Sequence, residues 1–550
     1  MHCRKYIRKI DFPALKRYTL THKIAFEEGS FMFIKVFLLV VFFAIMIGVG
    51  WYTRRHARTV DGFVLGGRNV GPWLTAFAYG TSYFSAVIFV GYAGQFGWKY
   101  GLASTWIGIG NALIGSLLAW VVLGRRTRVM TKSLKSATMP SFFEKRFDSK
   151  TLKIVSSMII FIFLVPYTAS VYNGLSKLFG MAFNIPYIVC VILMAGLTCI
   201  YVLLGGYMAT AWNDFIQGII MLIGICCVIG AVLTGHGGFM AAVRQLAEIP
   251  SESTMTLGQP GAYTSFFGPD PLGLLGVVIL TSLGTWGLPQ MVQKFYAIRS
   301  EKAIATGTVI STIFAFVIAG GSYFLGGFGR LIDVTQVSST AADGTVKIAY
   351  DSIMPTLLQN LPDLLMGILI MLIMSASMST LSSLVLTSSS TLTIDFIKGT
   401  LIKEMSEKKQ LFFLRILVVV FIVLSVVLAI NPPTFIAQLM GISWGALAGA
   451  FLAPFLYGLY WKGVTKGSVW ASFLFGVGFT VLNIFFKFVS PINAGAIAMI
   501  GGLIIVPLVS LITPKLKKDF VEKIFTCYDI QVEATSVKIL PETKDTDILD

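Results

Sequence analysis

The sequence predicts an all-α, polytopic membrane protein of about thirteen transmembrane helices built on two inverted five-helix repeats. Three observations carry this reading. Of 550 residues, 55% are hydrophobic and 13% charged, with a mean hydropathy of +0.79, about half the charge of an ordinary soluble chain. Apolar runs of roughly 20 residues recur from Phe31 to Ile512, each able to cross about 30 Å of hydrocarbon at 1.5 Å rise per residue. Two spans lying five apart are interrupted inside the membrane by glycine, hydroxyl and proline residues.

Windows of about 19 residues place the spans, in order, at 31–51, 72–98, 102–123, 154–179, 186–204, 208–234, 271–291, 303–328, 361–391, 411–430, 434–457, 466–486 and 491–512. The first repeat covers about 72–234 and the second about 271–457, with 31–51, 466–486 and 491–512 as extra helices. Connection 124–153 holds Arg125, Arg126, Arg128, Lys132 and further lysines, whereas 180–185 holds no basic residue, so the former is expected in the cytoplasm. Alternation then puts Arg54, Arg55, Arg58, Arg68, Lys294, Arg299 and Lys302 on the same side, and the long loops 235–270 and 329–360 outside. The expected localisation is a cell membrane, with the N-terminus extracellular. Residues 513–550 read as a solvated cytoplasmic tail, basic at Lys515, Lys517 and Lys518 and acidic at its end.

Residues 1–30 conflict with this pattern, because Arg4, Lys5, Arg8, Lys9, Lys16, Arg17 and Lys23 fall on the outer side. The expectation is that translation begins at Met32 and that this basic extension is absent from the mature protein. It has no apolar core resembling a signal peptide.

The two interruptions point to function. Span 2 contains Tyr79-Gly80-Thr81-Ser82-Tyr83-Phe84-Ser85, and span 7 contains Gly284-Thr285-Trp286-Gly287-Leu288-Pro289-Gln290. An unpaired peptide group in lipid is costly unless it lines a cavity or packs on protein. Because five is odd, the two segments cross in opposite senses, which is the secondary-transporter arrangement of discontinuous helices meeting near the midplane. Packing by small residues is the competing explanation.

Span 9 carries Ala376, Ser379, Thr380 and Ser383 at i, i+3, i+4 and i+7, one small polar face. Hydroxyl and carbonyl oxygens suit a hard cation; taken by itself, the face is better explained by a small-residue packing seam with back-bonded hydroxyls. Asp214 is either an intramembrane functional carboxylate or a helix-end aspartate favoured by the dipole.

Other classes lack their parts. The six cysteines show no metal-type spacing, and the four histidines lie outside the apolar runs. The net charge of +17 follows from basic connections beside apolar helices, so the expected surroundings are a lipid bilayer and not nucleic acid. No phosphate-binding glycine loop, metalloprotease motif or intramembrane pair of ionisable groups is evident, so no enzyme is expected. A channel would want a repeated filter or acidic rings. A transporter-fold sensor would need a signalling partner, because the tail is too short for a kinase domain.

The run Gly205-Gly206-Tyr207-Met208-Ala209-Thr210-Ala211-Trp212-Asn213-Asp214-Phe215-Ile216-Gln217 resembles the signature of the sodium:solute symporter family, with Asn213 in place of the usual threonine. Phe63 to Arg68, Met139 to Phe147 and Leu459 to Gly463 are similar to further family segments, and the likeness runs over about 32–512. The resemblance implies the leucine-transporter-type fold and sodium-driven uptake of a small organic solute. It implies a sodium site on the backbone of Thr81, Phe84 and Ala376 and the hydroxyls of Ser379 and Thr380. By likeness to sialic-acid members it implies a second sodium at Asp214, Ser379, Ser382 and Ser383. It also places Ser82, Tyr83, Tyr167, Trp286 and Gln290 around the solute. Tyr167 stands where those members carry an arginine, and proline and pantothenate carriers are the more similar branches. Proline or a related amino acid is the first expectation for the solute, and pantothenate or another carboxylate or sugar the second. Sodium is the expected coupling ion, with no organic cofactor.

Overall fold

A computed structural model describes residues 36–537 apart from 184, 341–345 and 403. The basic extension 1–30, the start expected at Met32 and the acidic end of the tail lie outside the described residues. Among the described residues, ten helices are long and apolar enough to cross a bilayer, or eleven with the pair Pro271–Gly287 and Pro289–Ala297, bent by 46°. Two of the ten are too long for one crossing: Val87–Ser133 has 47 residues and Tyr187–Gly235 has 49. At 1.5 Å per residue each would extend about 70 Å, more than twice the hydrocarbon thickness.

Each long helix reverses at a glycine with positive φ: Gly101 at φ 59°, ψ −140°, and Gly206 at φ 56°, ψ −147°. Side chains with a Cβ rarely enter this region. Helix Glu301–Leu331 registers the first reversal. Phe314 meets Gly80 and Gly326 meets Gly97 on the way out; Gly320 meets Gly108 and Gly307 meets Trp120 on the return. Met378 and Leu372 register the second, the former against Tyr201 and the latter against Gly224. With both reversals counted, every predicted span has a helical counterpart, shifted by a few residues.

Span 11 (Ile436–Tyr460) is the central post, with 89% of its apolar window buried inside the protein, against 22% for span 1 (Val36–Arg58). Spans 12 (Lys466–Phe486) and 13 (Pro491–Ile512) pack on span 11 and on each other. The repeats meet in close backbone contact where glycines permit it: a Cβ on Gly97 would lie 1.9 Å from the Gly326 carbonyl oxygen. Outside the spans, the long connections fold into helices Phe239–Glu248 and Tyr350–Leu358 and a small antiparallel hairpin, Ser338–Thr340 with Val346–Ile348.

The solvated reading of the tail needs correction. Helix Lys518–Val537 packs against the chain beside the basic connection after span 3. Val521, Ile524 and Phe525, at i, i+3 and i+4, form a buried stripe. The Tyr528 hydroxyl donates to the carbonyls of Leu459 and Arg126 at 3.2 and 3.4 Å. The acidic end drew attention away from this amphipathic stripe.

Candidate functional site

Span 2 leaves helical geometry at Phe84 (φ −91°, ψ 121°) and resumes at Val87, whose N–H donates to Ser85 Oγ at 3.2 Å. The break turns the carbonyls of Thr81 and Phe84 toward span 9 (Leu364–Lys398). Ser379 Oγ lies 3.1 Å from the Thr81 oxygen, 3.1 Å from that of Ala376 and 2.9 Å from that of Ser375. Thr380 Oγ1 lies 3.1 Å from the Thr81 oxygen, 3.3 Å from that of Phe84 and 3.2 Å from that of Ala376. The five residues assigned to the first sodium therefore meet at one point. Each hydroxyl has one proton, so two protons serve six oxygen–oxygen contacts. An acceptor-rich buried cage of this kind suits a hard cation with oxygen ligands.

Beside the cage is a buried aromatic cluster. Tyr83 and Tyr167 place their rings 5.9 and 5.8 Å from Trp444 of span 11. The Tyr83 hydroxyl, the Trp444 indole N–H and both amide atoms of Gln290 are buried without a well-formed hydrogen bond. Such groups can take hydrogen bonds from or to a polar ligand. The other two residues assigned to the solute are engaged elsewhere: Ser82 Oγ shares a 2.7 Å hydrogen bond with Ser383, and Trp286 Nε1 donates to the Ile114 carbonyl at 2.9 Å. Trp444 escaped sequence reasoning; its one signal was a tryptophan set between Ser443 and Gly445.

Asp214 is fully buried eight residues past the Gly206 reversal, and Lys294 is the cation beside it. Lys294 Nζ lies 3.8 Å from Asp214 Oδ2, beyond hydrogen-bond reach but within ion-pair distance, and donates to Ser383 Oγ at 3.1 Å. Its ammonium also stands 5.1 Å from the Tyr207 ring centroid. The expectations that no ionisable pair lies inside the membrane and that Lys294 belongs to a connection are both overturned. Pro289 at the first turn restarts the helix after Leu288, and all nine residues of Pro289–Ala297 are buried, so span 7 runs six residues past its apolar stretch. The charged residue itself hid the extension from a hydropathy window. A second buried carboxylate, Asp395, accepts from Thr138 Oγ1 at 2.5 Å and faces Lys153 Nζ at 3.9 Å.

A broken helix meeting a continuous one at an oxygen cage, with a second broken helix beside them in an inverted-repeat bundle, is the arrangement of a secondary transporter. The model of the Sodium:solute symporter family matches residues 63–476, and the chain belongs to that family. The sodium/proline symporters of Staphylococcus aureus strains JH9 and NCTC 8325 are each 30% identical to it over 495 residues, covering 88% of this chain and 92% of theirs. A solved structure of a Na+-coupled sialic acid symporter, substrate-bound and outward-open, shares the fold with a TM-score of 0.68 at 17% identity, over 89% of this chain and all of that one. The protein is thus a multi-pass, sodium-coupled carrier of a small solute and not an enzyme.

Proposed function

We propose that this protein takes up proline or a closely related small amino acid, driven by sodium held between Thr81, Phe84, Ala376, Ser379 and Thr380. The observation that carries the sodium site is the set of three contacts by which the Ser379 and Thr380 hydroxyls of span 9 meet the Thr81 and Phe84 carbonyls at the break in span 2. Names of relatives at 30% identity support the solute. The aromatic cluster supports it too, because Tyr83, Tyr167 and Trp444 offer apolar faces suited to a compact apolar ring and Gln290 offers a donor and an acceptor.

A sodium ion in the cage ties span 2 to span 9 and holds the Tyr83 side of the cluster in place, so the solute binds the sodium-loaded form more tightly. Such coupling is reciprocal and typically amounts to about 1–3 kcal/mol. One positive charge moving down a 100 mV potential adds roughly 2.3 kcal/mol. Rocking of the bundle containing spans 2 and 7 against that containing span 9 then exchanges access. In this reading the basic connection after span 3 and the C-terminus face the cytoplasm.

Uptake of labelled proline into proteoliposomes under an imposed sodium gradient, a proton gradient or neither tests the proposal. Sodium-stimulated uptake that is lost in Ser379→Ala is expected. Sodium-stimulated uptake of pantothenate, another carboxylate or a sugar, with none of proline, would reassign the solute, and uptake driven by protons alone would overturn the cage.

A further inference from the structure

On the perimeter of the bundle, a groove of about 740 Å³ opens where spans 1, 5 and 10 meet. Spans 1 (Val36–Arg58) and 10 (Glu407–Ile430) wall it, and the end of span 5, just before the Gly206 reversal, forms its floor. These two walls are the least buried of the ten spans, with 22% and 28% of their apolar windows covered by protein, so the groove faces lipid. Arg68, shortly after span 1, donates to the Ser136 carbonyl, which puts the groove at the end of the bundle that holds the basic connection after span 3. Trp51, Arg54 and Arg58 share one helical face at i, i+3 and i+7, and Leu411 and Arg415 share another at i and i+4. The Arg54 guanidinium lies over the Trp51 ring, 3.5 Å from its centroid. Among the described residues Arg54, Arg58 and Arg415 form no ion pair, and two neighbouring acids are engaged elsewhere: Glu407 accepts from the Val60 N–H at 3.3 Å, and Asp61 faces Arg68 at 3.9 Å.

We propose that this groove binds an anionic glycerophospholipid, its phosphate headgroup among Arg54, Arg58 and Arg415 and its acyl chains along Ile200, Leu203 and Leu411. Guanidinium groups pair with phosphate through two parallel hydrogen bonds, and a basic pocket between transmembrane helices at a bilayer surface suits an anionic headgroup. Three like charges around one concavity repel one another, and an anion between them removes that cost. A lone interfacial arginine simply extends its head to water. Here the three heads converge from two helices far apart in the sequence, over an apolar floor. A free phosphate would satisfy the arginines and leave that floor uncovered, whereas a lipid covers both.

The position gives the lipid a structural task. Span 1 lies outside both repeats and span 10 inside the second, and the bound lipid ties the two together across the end of span 5. A ligand that binds only the folded bundle stabilises it, so the melting temperature should rise with the concentration of anionic lipid.

Retention of radiolabelled phosphatidylglycerol by the purified full chain in detergent micelles, competed with unlabelled compounds, tests this. Saturable binding is expected, displaced by phosphatidylglycerol at about a tenth of the concentration of phosphatidylcholine that is needed, and not by glycerol 3-phosphate. Arg54→Gln/Arg415→Gln is expected to weaken retention about tenfold. Lys132→Gln/Lys135→Gln, which removes two exposed charges from the same end of the bundle, should leave it unchanged. No saturable binding, equal displacement by phosphatidylcholine, or an equal loss in the two double variants would overturn the site. Displacement by glycerol 3-phosphate as effective as that by the lipid would reassign the groove to a soluble phosphate and overturn the proposal. The wild-type competition series decides the matter even if the arginine variant fails to fold.

Discussion

The two broken helices do different work. In span 2 the break lies between Phe84 and Val87, and what it offers is backbone: carbonyls of Thr81 and Phe84 turned toward two hydroxyls of span 9. In span 7 the break is one residue, Leu288, bracketed by Gly287 and Pro289, and what it offers is side chains. Gly287 seats the first half against span 11, where a Cβ would lie 2.8 Å from Ala448 Cα; the restarted helix carries Gln290 and Lys294 inward. Related sequence signals, glycine beside polar residues in an apolar span, thus produce turned carbonyls that meet span 9 at one break and buried Gln290 and Lys294 side chains at the other. Inverted repeats share a backbone plan, while side-chain chemistry at each break decides which ligand is met.

The sharpest way to break this comparison is to remove the oxygens that meet span 2. Ser379→Ala combined with Thr380→Ala should lower sodium-dependent uptake by about 100-fold or more, since a hydrogen-bond partner to a charge is worth about 1.5–3 kcal/mol. Sodium titration of uptake measures it, and a small change would mean the cage is only a packing seam. Backbone tolerance sharpens the contrast next. Gly287→Ala should destabilise by about 1–3 kcal/mol and lower the melting temperature, because the added carbon meets backbone. Gly320→Ala, with nothing within 4 Å of the new Cβ, should melt like the native protein.

For the aromatic cluster, Gln290→Ala should raise the solute KM about fivefold while leaving the sodium dependence intact, as expected for loss of one neutral contact of about 1 kcal/mol. Equal losses of sodium and solute affinity would erase the distinction between the breaks. The smallest effect lies far from either break. Arg330 donates to Glu252 Oε2 at 2.8 Å, and that hydrogen bond, with the guanidinium charge behind it, holds the Glu252 carboxyl below the usual carboxylate range. A lowered folded-state pKa means stabilisation that is present above the ordinary value of about 4.3 and lost as pH falls through the lowered one. Because the Glu252 side chain is 62% exposed, Glu252→Gln should reduce stability by less than about 1 kcal/mol at pH 7. Thermal melts of both forms between pH 7 and 3 should converge at the acid end.

Spans, their order and the two breaks were legible because lipid imposes local rules: a crossing helix must be long and apolar, and a peptide group left without a partner must face protein or water. The same rules made Ala376, Ser379 and Thr380 readable as one face, since helical spacing is a local property. Charge inside the bundle was not readable. Lys294 resembled the start of a connection because hydropathy averages a window, whereas its burial is conferred by spans 2, 6 and 9 closing around it. Trp444 was equally silent, as its role depends on Tyr83 and Tyr167 arriving from distant segments.

By itself, then, the sequence determined an apolar helical bundle, its interruptions and the oxygen face of span 9, all consequences of composition and periodicity along one segment. Only the tertiary structure decided that Lys294 stands between Asp214 and Ser383, that Trp286 turns to Ile114, and that the tail helix docks beside Arg126. Each of those outcomes depends on residues brought together across scores or hundreds of positions, and such pairings are set by how helices pack, which no local pattern encodes.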